Sequence, residues 1–386
     1  MLKDVKILSD LRLSKSCIGD AEKLAVKRVL DRGFFGMGQE VNAFEQALSQ
    51  FFGRPTVCVV NGTAALHLAL QAAGVGKGDE VLVQSLTYVA SFQAITATGA
   101  KPVACDILPS TACIDLSDAA VKITPNTKAI MPVHYAGGVG HLDDLYNFAS
   151  DHGLRVIEDA AHAFGTIYQG QKVGAFGDIA CFSFDGIKNI TSGEGGCIVT
   201  DDKMVLERIK DARLLGVEGD TDKRFSGGRS WDPDVHHQGW RYHMSDIMAA
   251  IGITQLKNFE YHKNRRQELA KCYAEHLSSV PMISIFDHDY DNVVPHIFVI
   301  VLDEDIDREA LISLLKDHGI PVGIHYKPNH LLSYFSGNIK ENLPTTDILY
   351  PRLLTLPLHP ELSFEDIASI VKLLKQGIEH VKTASR

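Results

Sequence analysis

Hydrophobic and polar positions alternate along the first 200 residues in a way that predicts strands and helices in turn. Apolar runs with the length of buried strands occur at 56–60, 80–84, 102–105, 128–134, 155–158, 179–184 and 197–200. Segments with helical spacing lie between or before them, at 20–32, 40–52, 91–98, 143–152 and 203–214. This alternation predicts an α/β fold with a mostly parallel central sheet and helices on both of its faces.

The pattern changes near residue 255. Helical spacing runs from Ser245 to about His276, and a strand at 296–301, a helix at 308–318, a strand near 322–325 and a helix at 364–382 follow. A chain of 386 residues exceeds what one core usually supports. We therefore expect a large domain over residues 1–255 and a smaller α/β domain over residues 256–386.

Composition excludes several classes of partner. No apolar run approaches the ~20 residues of a membrane span, and the chain starts without an apolar signal region, so we expect a soluble, cytoplasmic protein without a membrane partner. A formal charge of −10 leaves no strongly basic face for nucleic acid. The seven cysteines are scattered, and the histidine spacings do not match a zinc pair, so we predict neither disulfides nor a metal site.

Polar residues follow several of the predicted strands. In parallel sheets, ligands bind beyond the carboxyl ends of the strands. The segment Asn61-Gly62-Thr63 ends one strand and opens a helix, whose free N–H groups suit a phosphate. Asp159 and His162 follow another strand. These strand ends predict a ligand site at one edge of the sheet.

Lys188 lies in a glycine-rich connection between the runs at 179–184 and 197–200. Desolvation between two buried strands lowers the pKa of an amine, which makes Lys188 a candidate Schiff-base nucleophile; an ordinary solvated loop lysine is the alternative. Pyridoxal 5′-phosphate requires a lysine, an anion beside its pyridine nitrogen, donors for its phosphate and a stacking face. Lys188, Asp159 and the helix start at 62–64 match this set.

Four segments, at 61–66, 158–163, 182–196 and 244–252, resemble the DegT/DnrJ/StrS-type sugar aminotransferases. The matching segments run from about Gly33 to Pro360, in the order and spacing of the family. The resemblance implies a fold-type I pyridoxal-phosphate enzyme that moves an amino group from L-glutamate to a sugar carbonyl.

The resemblance also implies a role for each matching residue. Lys188 forms the bond to the cofactor and later shuttles protons, and Asp159 pairs with the pyridinium nitrogen. His162 lies beside the cofactor, where an orienting hydrogen bond is favoured over proton transfer. The remaining cofactor-binding positions are Tyr88, which stacks on the ring, and the phosphate-binding residues Gly62, Thr63, Ala64 and Ser183.

The chain departs from the family in the segment at 239–244. Arg241 stands where relatives have an Asn that a neighbouring subunit gives to the cofactor phosphate, and His243 stands where they have an Arg. An arginine binds either a phosphate or a substrate carboxylate, and both roles remain open. The resemblance implies a homodimer with shared active sites, in which the segment at 216–243 crosses to the partner.

Substrate contacts are expected at His325 and His330, in a segment that resembles the family's C-terminal loop, and at Arg229 in the long polar loop at 216–239. Family precedent favours a nucleotide-linked 4-keto-6-deoxyhexose as the acceptor, on the way to lipopolysaccharide or another cell-surface polysaccharide. A free oxidised sugar acid, such as an 8-oxo-3-deoxy-octulosonate that would give 8-amino-3,8-dideoxy-octulosonate, is the alternative.

Two other functions are less consistent with the residues. Pyridoxal-phosphate sugar dehydratases in this family carry a histidine at the lysine position, so Lys188 argues against dehydration. A ligand-sensing regulator with this fold would need a DNA-binding segment, and the sequence contains none.

Overall fold

The computed structural model describes residues 11–228, 231–337 and 342–384. The strands in these ranges are β1 (Thr56–Val59), β2 (Glu80–Gln84), β3 (Lys101–Cys105), β4 (Thr127–Met131), β5 (Arg155–Asp159), β6 (Ile167–Tyr168), β7 (Gln171–Lys172), β8 (Ile179–Ser183), β9 (Gly196–Val199), β10 (Ile283–Ile285), β11 (Phe298–Leu302) and β12 (Leu353–Leu356).

The α-helices in the same ranges are α1 (Asp20–Arg32), α2 (Gln39–Phe52), α3 (Gly62–Ala72), α4 (Val89–Ala97), α5 (Leu116–Val121), α6 (Leu142–Asp151), α7 (Lys203–Ala212), α8 (Asp220–Phe225), α9 (Asp246–Lys257), α10 (Phe259–Leu277), α11 (Arg308–Asp317), α12 (Ser333–Ser336), α13 (Pro344–Leu349) and α14 (Phe364–Ala384). None of these helices combines the length and the apolar character needed to cross a membrane.

The central sheet has seven strands in the order β1-β9-β8-β5-β4-β2-β3. The pairs from β8 across to β3 are parallel, while β9 is antiparallel to both β8 and β1. Strand β1 therefore runs in the same direction as β8, and β9 is the one reversed strand of this sheet. The expected mostly parallel sheet is confirmed, and six strands present their carboxyl ends at the same edge.

Helices cover both faces of this sheet, which explains why its strands are continuous apolar runs. Successive side chains of a strand point to opposite faces. Val57 and Val59 pack with α3, α4 and α7, whereas Cys58 between them packs with α2 and α9. The residues of β1 are buried throughout.

A second sheet, of β10, β11 and β12, is antiparallel throughout and packs against α10, α11 and α14. The strand expected near 322–325 was wrong, because Gly323 makes only an isolated bridge to Thr355. The third strand is β12, a run of four residues, which is too short for its periodicity to distinguish it from a loop. This sheet lies in the expected smaller unit; its boundary at residue 255 stays a prediction.

The segment expected to be a polar loop at 216–239 contains the short helix α8, so the loop expectation was wrong for its six residues. The segment is tied to α7 of its own chain, where the Gly219 N–H donates to Asp211 (3.0 Å) and the Thr221 hydroxyl donates to the Lys210 carbonyl (2.9 Å). Arg229 lies outside the described residues.

Candidate active site

A cavity of about 460 Å³ opens at the carboxyl edge of the central sheet. Its wall combines residues from strand ends of the large unit with three residues from the smaller unit. The first group includes Gly62, Thr63, Tyr88, Asp159, His162, Ser183 and Lys188, and the second is His296, His325 and Tyr326.

Lys188 is held on a short loop between β8 and β9. Its N–H donates to the Asp185 carbonyl (3.1 Å), and the next side chain, Asn189, donates to the carbonyls of Phe164 and Val294 (both 3.2 Å). These bonds direct the half-buried Lys188 into the cavity, where its Nζ lies 3.3 Å from His296 Nε2. Burial lowers the pKa of Lys188 to about 8, although Asp159 and Asp185 oppose the shift.

Asp159 ends β5 and is buried behind Lys188. Burial raises the pKa of its carboxyl group, and hydrogen bonds from the Ser91 hydroxyl (2.7 Å) and the Ala161 N–H (3.2 Å) oppose that rise. Ser91 is in turn 3.0 Å from the Thr87 hydroxyl. The carboxylate is therefore fixed in orientation, which suits it to hold a cationic ring nitrogen.

The N-terminus of α3 forms the end of the cavity expected to hold a phosphate. Asn61 caps the helix by accepting from the Ala64 N–H (2.8 Å), so that N–H is already used. The first-turn N–H groups of Gly62 and Thr63 have no acceptor within the helix, and together with the Thr63 and Ser183 hydroxyls they suit an anion. A Cβ at position 62 would lie 2.8 Å from Ser183 Cβ, so glycine is required there by close packing.

His162 makes two hydrogen bonds that define its tautomer. The Ala136 N–H donates to its Nδ1 (3.3 Å), which leaves the proton on Nε2, 3.1 Å from the Tyr326 hydroxyl. Burial and the nearby Lys188 charge lower the pKa of His162. The ring is therefore a neutral, oriented donor, which matches the expected orienting role better than proton transfer.

The chain matches known proteins over nearly its whole length. The model of the DegT/DnrJ/EryC1/StrS aminotransferase family matches residues 16–375. The chain belongs to this family. Spr1654 of Streptococcus pneumoniae, which is assigned as a sugar aminotransferase and is solved in PMP and PLP forms, is 30% identical to this chain in its PMP form; the match covers 97% of this chain and 99% of that one, with a TM-score of 0.91.

Two further solved relatives show the same fold. PseC of Helicobacter pylori, an aminotransferase involved in the biosynthesis of pseudoaminic acid, is 25% identical over 96% of this chain and 99% of its own (TM-score 0.88). DesV of S. venezuelae, solved with a ketimine intermediate, is 32% identical over 93% and 94% (TM-score 0.84). The protein is a pyridoxal-phosphate-dependent sugar aminotransferase of amino sugar biosynthesis, with a sugar and an amino donor as its substrates.

The cavity fits the cofactor of the family. It places a depressed-pKa amine, a buried carboxylate and a helix N-terminus around one space, which are the groups that pyridoxal phosphate requires. We infer that Lys188 would hold the cofactor at its aldehyde carbon, Asp159 at its ring nitrogen, and the α3 N-terminus with Ser183 at its phosphate. Tyr88 is exposed at the cavity wall, where its ring face is available for stacking.

Three residues of the site were missed by sequence reasoning. His296, which the sequence predicts only as the start of a strand, directly precedes β11, Tyr326 stands next to the expected His325, and Ser91 lies in α4. Each becomes recognisable only when the chain brings it to Lys188, His162 or Asp159. Adjacency to the expected His325 was the one signal in the sequence that pointed to Tyr326.

Three expected residues do not line the described cavity. One is Ala64, whose N–H donates to the Asn61 side chain (2.8 Å). His330 lies between Ser85 Oγ (2.7 Å from Nδ1) and Asp347 Oδ1 (2.9 Å from Nε2), and this pairing links the smaller unit to the end of β2. Arg241 is exposed at the edge of the central sheet, beside the bridge between Val59 and His243. His325 does line the cavity, with its Nδ1 2.9 Å from Thr355 Oγ1.

The segment around Arg241 packs against its own chain. The rings of Trp240 and Tyr242 stack at 5.8 Å and pack against the core that contains α3. Since neighbouring side chains in extended backbone point to opposite sides, Arg241 is directed away from that core. His243 lies near the positive charges of Arg224, Arg241 and Arg213, and burial together with these charges lowers its pKa to about 4.

Proposed function

We propose that this aminotransferase takes the amino group from L-glutamate and delivers it to a nucleotide-linked 4-keto-6-deoxyhexose destined for lipopolysaccharide or another cell-surface polysaccharide. The observation that carries amino transfer is the Lys188 amine, which lies in the cavity wall with a pKa lowered to about 8, beside the buried Asp159. The acceptor rests on family precedent.

The chain's own groups define the reaction environment. Pyridoxal phosphate, when bound, supplies an aldehyde and a ring that accepts electrons from the substrate carbon. Asp159 holds the proton on the ring nitrogen, and the neutral form of Lys188 removes and returns the substrate proton at Nζ. Tyr326 and His162 form one side of the cavity and fix each other's orientation through their hydrogen bond.

The size of the cavity bears on the acceptor. A volume of about 460 Å³ lies in the ordinary range for one small-molecule site. It must accommodate the cofactor ring together with the sugar, so a nucleotide attached to that sugar lies at the mouth of the cavity or beyond it.

Recognition of L-glutamate calls for a cation that this wall does not supply. Among the described residues that line the cavity, Lys188 is the only lysine or arginine, and it is needed for chemistry. Asp185 and Glu194 add negative charge. We infer that the protein is a homodimer and that the exposed Arg241 of one subunit completes the site of the other.

We also place the enzyme in the cytoplasm. None of the seven cysteines forms a disulfide bond in the described structure, and five of them are buried. Thiols that remain unpaired are typical of a reducing compartment. Fractionation of the producing cells, with activity measured in each fraction, tests this location; activity found outside the cytoplasmic fraction would contradict it.

The donor is tested on the holoenzyme, whose bound cofactor gives an absorption band in the visible. This band is followed as amino acids are added one at a time. L-glutamate is expected to remove the band, and D-glutamate, which presents its hydrogen on the wrong face, is the matched control. If L-glutamate leaves the band unchanged while another amino acid removes it, the proposed donor is wrong.

The acceptor is tested on the same amino-loaded enzyme, separated from excess donor. A nucleotide-linked 4-keto-6-deoxyhexose is expected to restore the band and to gain one amino group by mass spectrometry; the 4-hydroxy sugar nucleotide is the control. Restoration by a free aldehyde or keto sugar acid, with no response to keto sugar nucleotides, would assign the enzyme to the alternative acceptor.

A further inference from the structure

His296 is a buried histidine that touches the reacting nitrogen of Lys188. Its Nε2 lies 3.3 Å from Lys188 Nζ, and its backbone N–H donates to the Ala136 carbonyl (3.3 Å). Its other ring nitrogen, Nδ1, is buried without a hydrogen-bond partner among the described residues. Because only one ring nitrogen has a partner, the ring favours one protonation state of the Lys188 amine over the other.

A neutral imidazole carries its proton on one nitrogen. A proton on Nδ1 of His296 would be a buried donor without an acceptor, which is unfavourable because the N–H has lost its hydrogen bonds to water. A proton on Nε2 instead points to Lys188 and is satisfied by the lone pair of a neutral amine. An ammonium group has no lone pair, so protonation of Lys188 would require Nε2 to accept and would force the proton onto Nδ1.

The surroundings also keep His296 from becoming an imidazolium. Its ring lies 4.5 Å from that of His162, and His325 is also nearby. Arg266, which is buried, donates to the His296 carbonyl (3.1 Å). Burial, followed by the nearby Lys188 and Arg266, lowers the pKa of His296. The ring is therefore neutral at pH 7 and carries a single proton, on either Nδ1 or Nε2.

Arg266 connects the two partners. Its guanidinium donates to the carbonyls of Pro295 (3.4 Å) and His296 on one side, and to the carbonyl of Ile187 (3.4 Å), next to Lys188, on the other. A single side chain from α10 thus bridges the backbone segments that carry Lys188 and His296.

We propose that His296 is a catalytic residue that donates its Nε2–H to the neutral amine of Lys188 and disfavours protonation of that amine whenever Lys188 is not bonded to the cofactor. This role depends on the aminotransferase reaction and not on the identity of the donor or the acceptor. It gives the enzyme a lysine that is ready to act as a base near neutral pH.

The test measures the pKa of Lys188 in the full-length, cofactor-free protein by competitive labelling with acetic anhydride across pH, read by peptide mass spectrometry. In His296→Gln, the amide can turn its oxygen toward an ammonium, so we expect the pKa of Lys188 to rise by about 1 and labelling at pH 7 to fall about tenfold. The control is His325→Gln, a cavity histidine bonded to Thr355, in which the pKa of Lys188 should not change.

A folded His296→Gln protein with an unchanged pKa of Lys188 would overturn the proposal. Nitrogen-15 NMR of the unsubstituted protein labelled at histidine tests it independently of that variant. We expect the His296 signals to show a protonated Nε2 and a bare Nδ1 at pH 7. Their assignment comes from their loss in His296→Gln or, if that variant does not fold, in His296→Phe. A protonated Nδ1 would contradict the proposal.

Discussion

At the scale of single residues, Lys188 is a group whose ordinary charged form is disfavoured by its surroundings. The folded protein lowers its pKa from 10.5 to about 8, chiefly by burial. Between these two pH values the unfolded chain binds more protons than the folded one. The free energy of unfolding therefore rises with pH across this window, and below about pH 8 the protonated lysine destabilises the fold.

This linkage predicts the behaviour of Lys188→Met. Methionine removes the titrating group while keeping an unbranched side chain. In the cofactor-free state at pH 7, we expect Lys188→Met to have a higher free energy of unfolding than the unsubstituted protein. This difference should shrink as the pH rises from 7 to 10.5. The change is at most about 3 kcal/mol, because Lys188 keeps some contact with solvent. Urea unfolding at several pH values measures it, and a difference that does not vary with pH would contradict the lowered pKa.

At the scale of elements, the junction of β1, α3 and β8 creates the phosphate end of the cavity. Strand β8 comes so close to the first turn of α3 that a Cβ at position 62 would approach Ser183 Cβ to 2.8 Å. This contact places a hydroxyl beside free helix N–H groups, which is the arrangement that suits a phosphate.

Gly62→Ala is therefore expected to move α3 away from Ser183 and to weaken the affinity for pyridoxal phosphate about tenfold or more, equivalent to about 1.4 kcal/mol. Gly76→Ala is the matched control, because its nearest neighbour would be at an ordinary 3.9 Å and it lies away from the cavity. Spectroscopic titration of cofactor-free protein measures both affinities. Equal affinities in the two variants would show that the close contact does not support the phosphate site.

The elements also differ in how well the sequence predicts them. The helix over 20–32 and the strand over 80–84 were predicted with their observed bounds, because their apolar spacing is regular and their flanks carry clear stop signals. Strands β10 and β12 were missed. They have three and four residues, and such short runs gain their strand character from pairing with β11 and not from their own pattern.

At the scale of the whole molecule, the proposed dimer gives a role to Arg241, whose positive charge lies outside the active-site cavity of its own chain. Arg241 is exposed and held on the edge of the central sheet by Trp240 and Tyr242, and it does not line the cavity of its own chain. An exposed arginine at this position is available to serve a symmetry-related copy.

Complementation tests this arrangement. Lys188→Ala and Arg241→Ala proteins, each inactive, are unfolded and refolded together. If the two residues serve one site from different chains, half of the dimers are mixed and each mixed dimer has one intact site, so roughly a quarter of the original activity should return. The control pairs Lys188→Ala with Asp159→Asn, two residues of one cavity, and no activity should return. If mixed dimers form in the first pairing without activity, Arg241 does not act across the dimer.

The sequence by itself determined the family, the mostly parallel sheet and the residues that carry the chemistry of the cofactor. Asp159 and Gly62 were predicted because they stand at strand ends, which the direction of a parallel sheet brings together whatever the details of packing. Lys188 was predicted because it is a lone lysine between two buried strands, in a segment that resembles the family. The structure places all three in the wall of one cavity, while their individual roles remain predictions.

Only the tertiary structure decided which residues surround Lys188. His296 and Tyr326 come from the smaller unit, more than 100 residues away along the chain, and no local pattern relates them to β8. The same holds for His330, which pairs with Ser85 and Asp347 instead of facing the cavity. Contacts of this kind depend on how two separately packed units meet, and the periodicity of a sequence describes each element's own buried face but not that meeting.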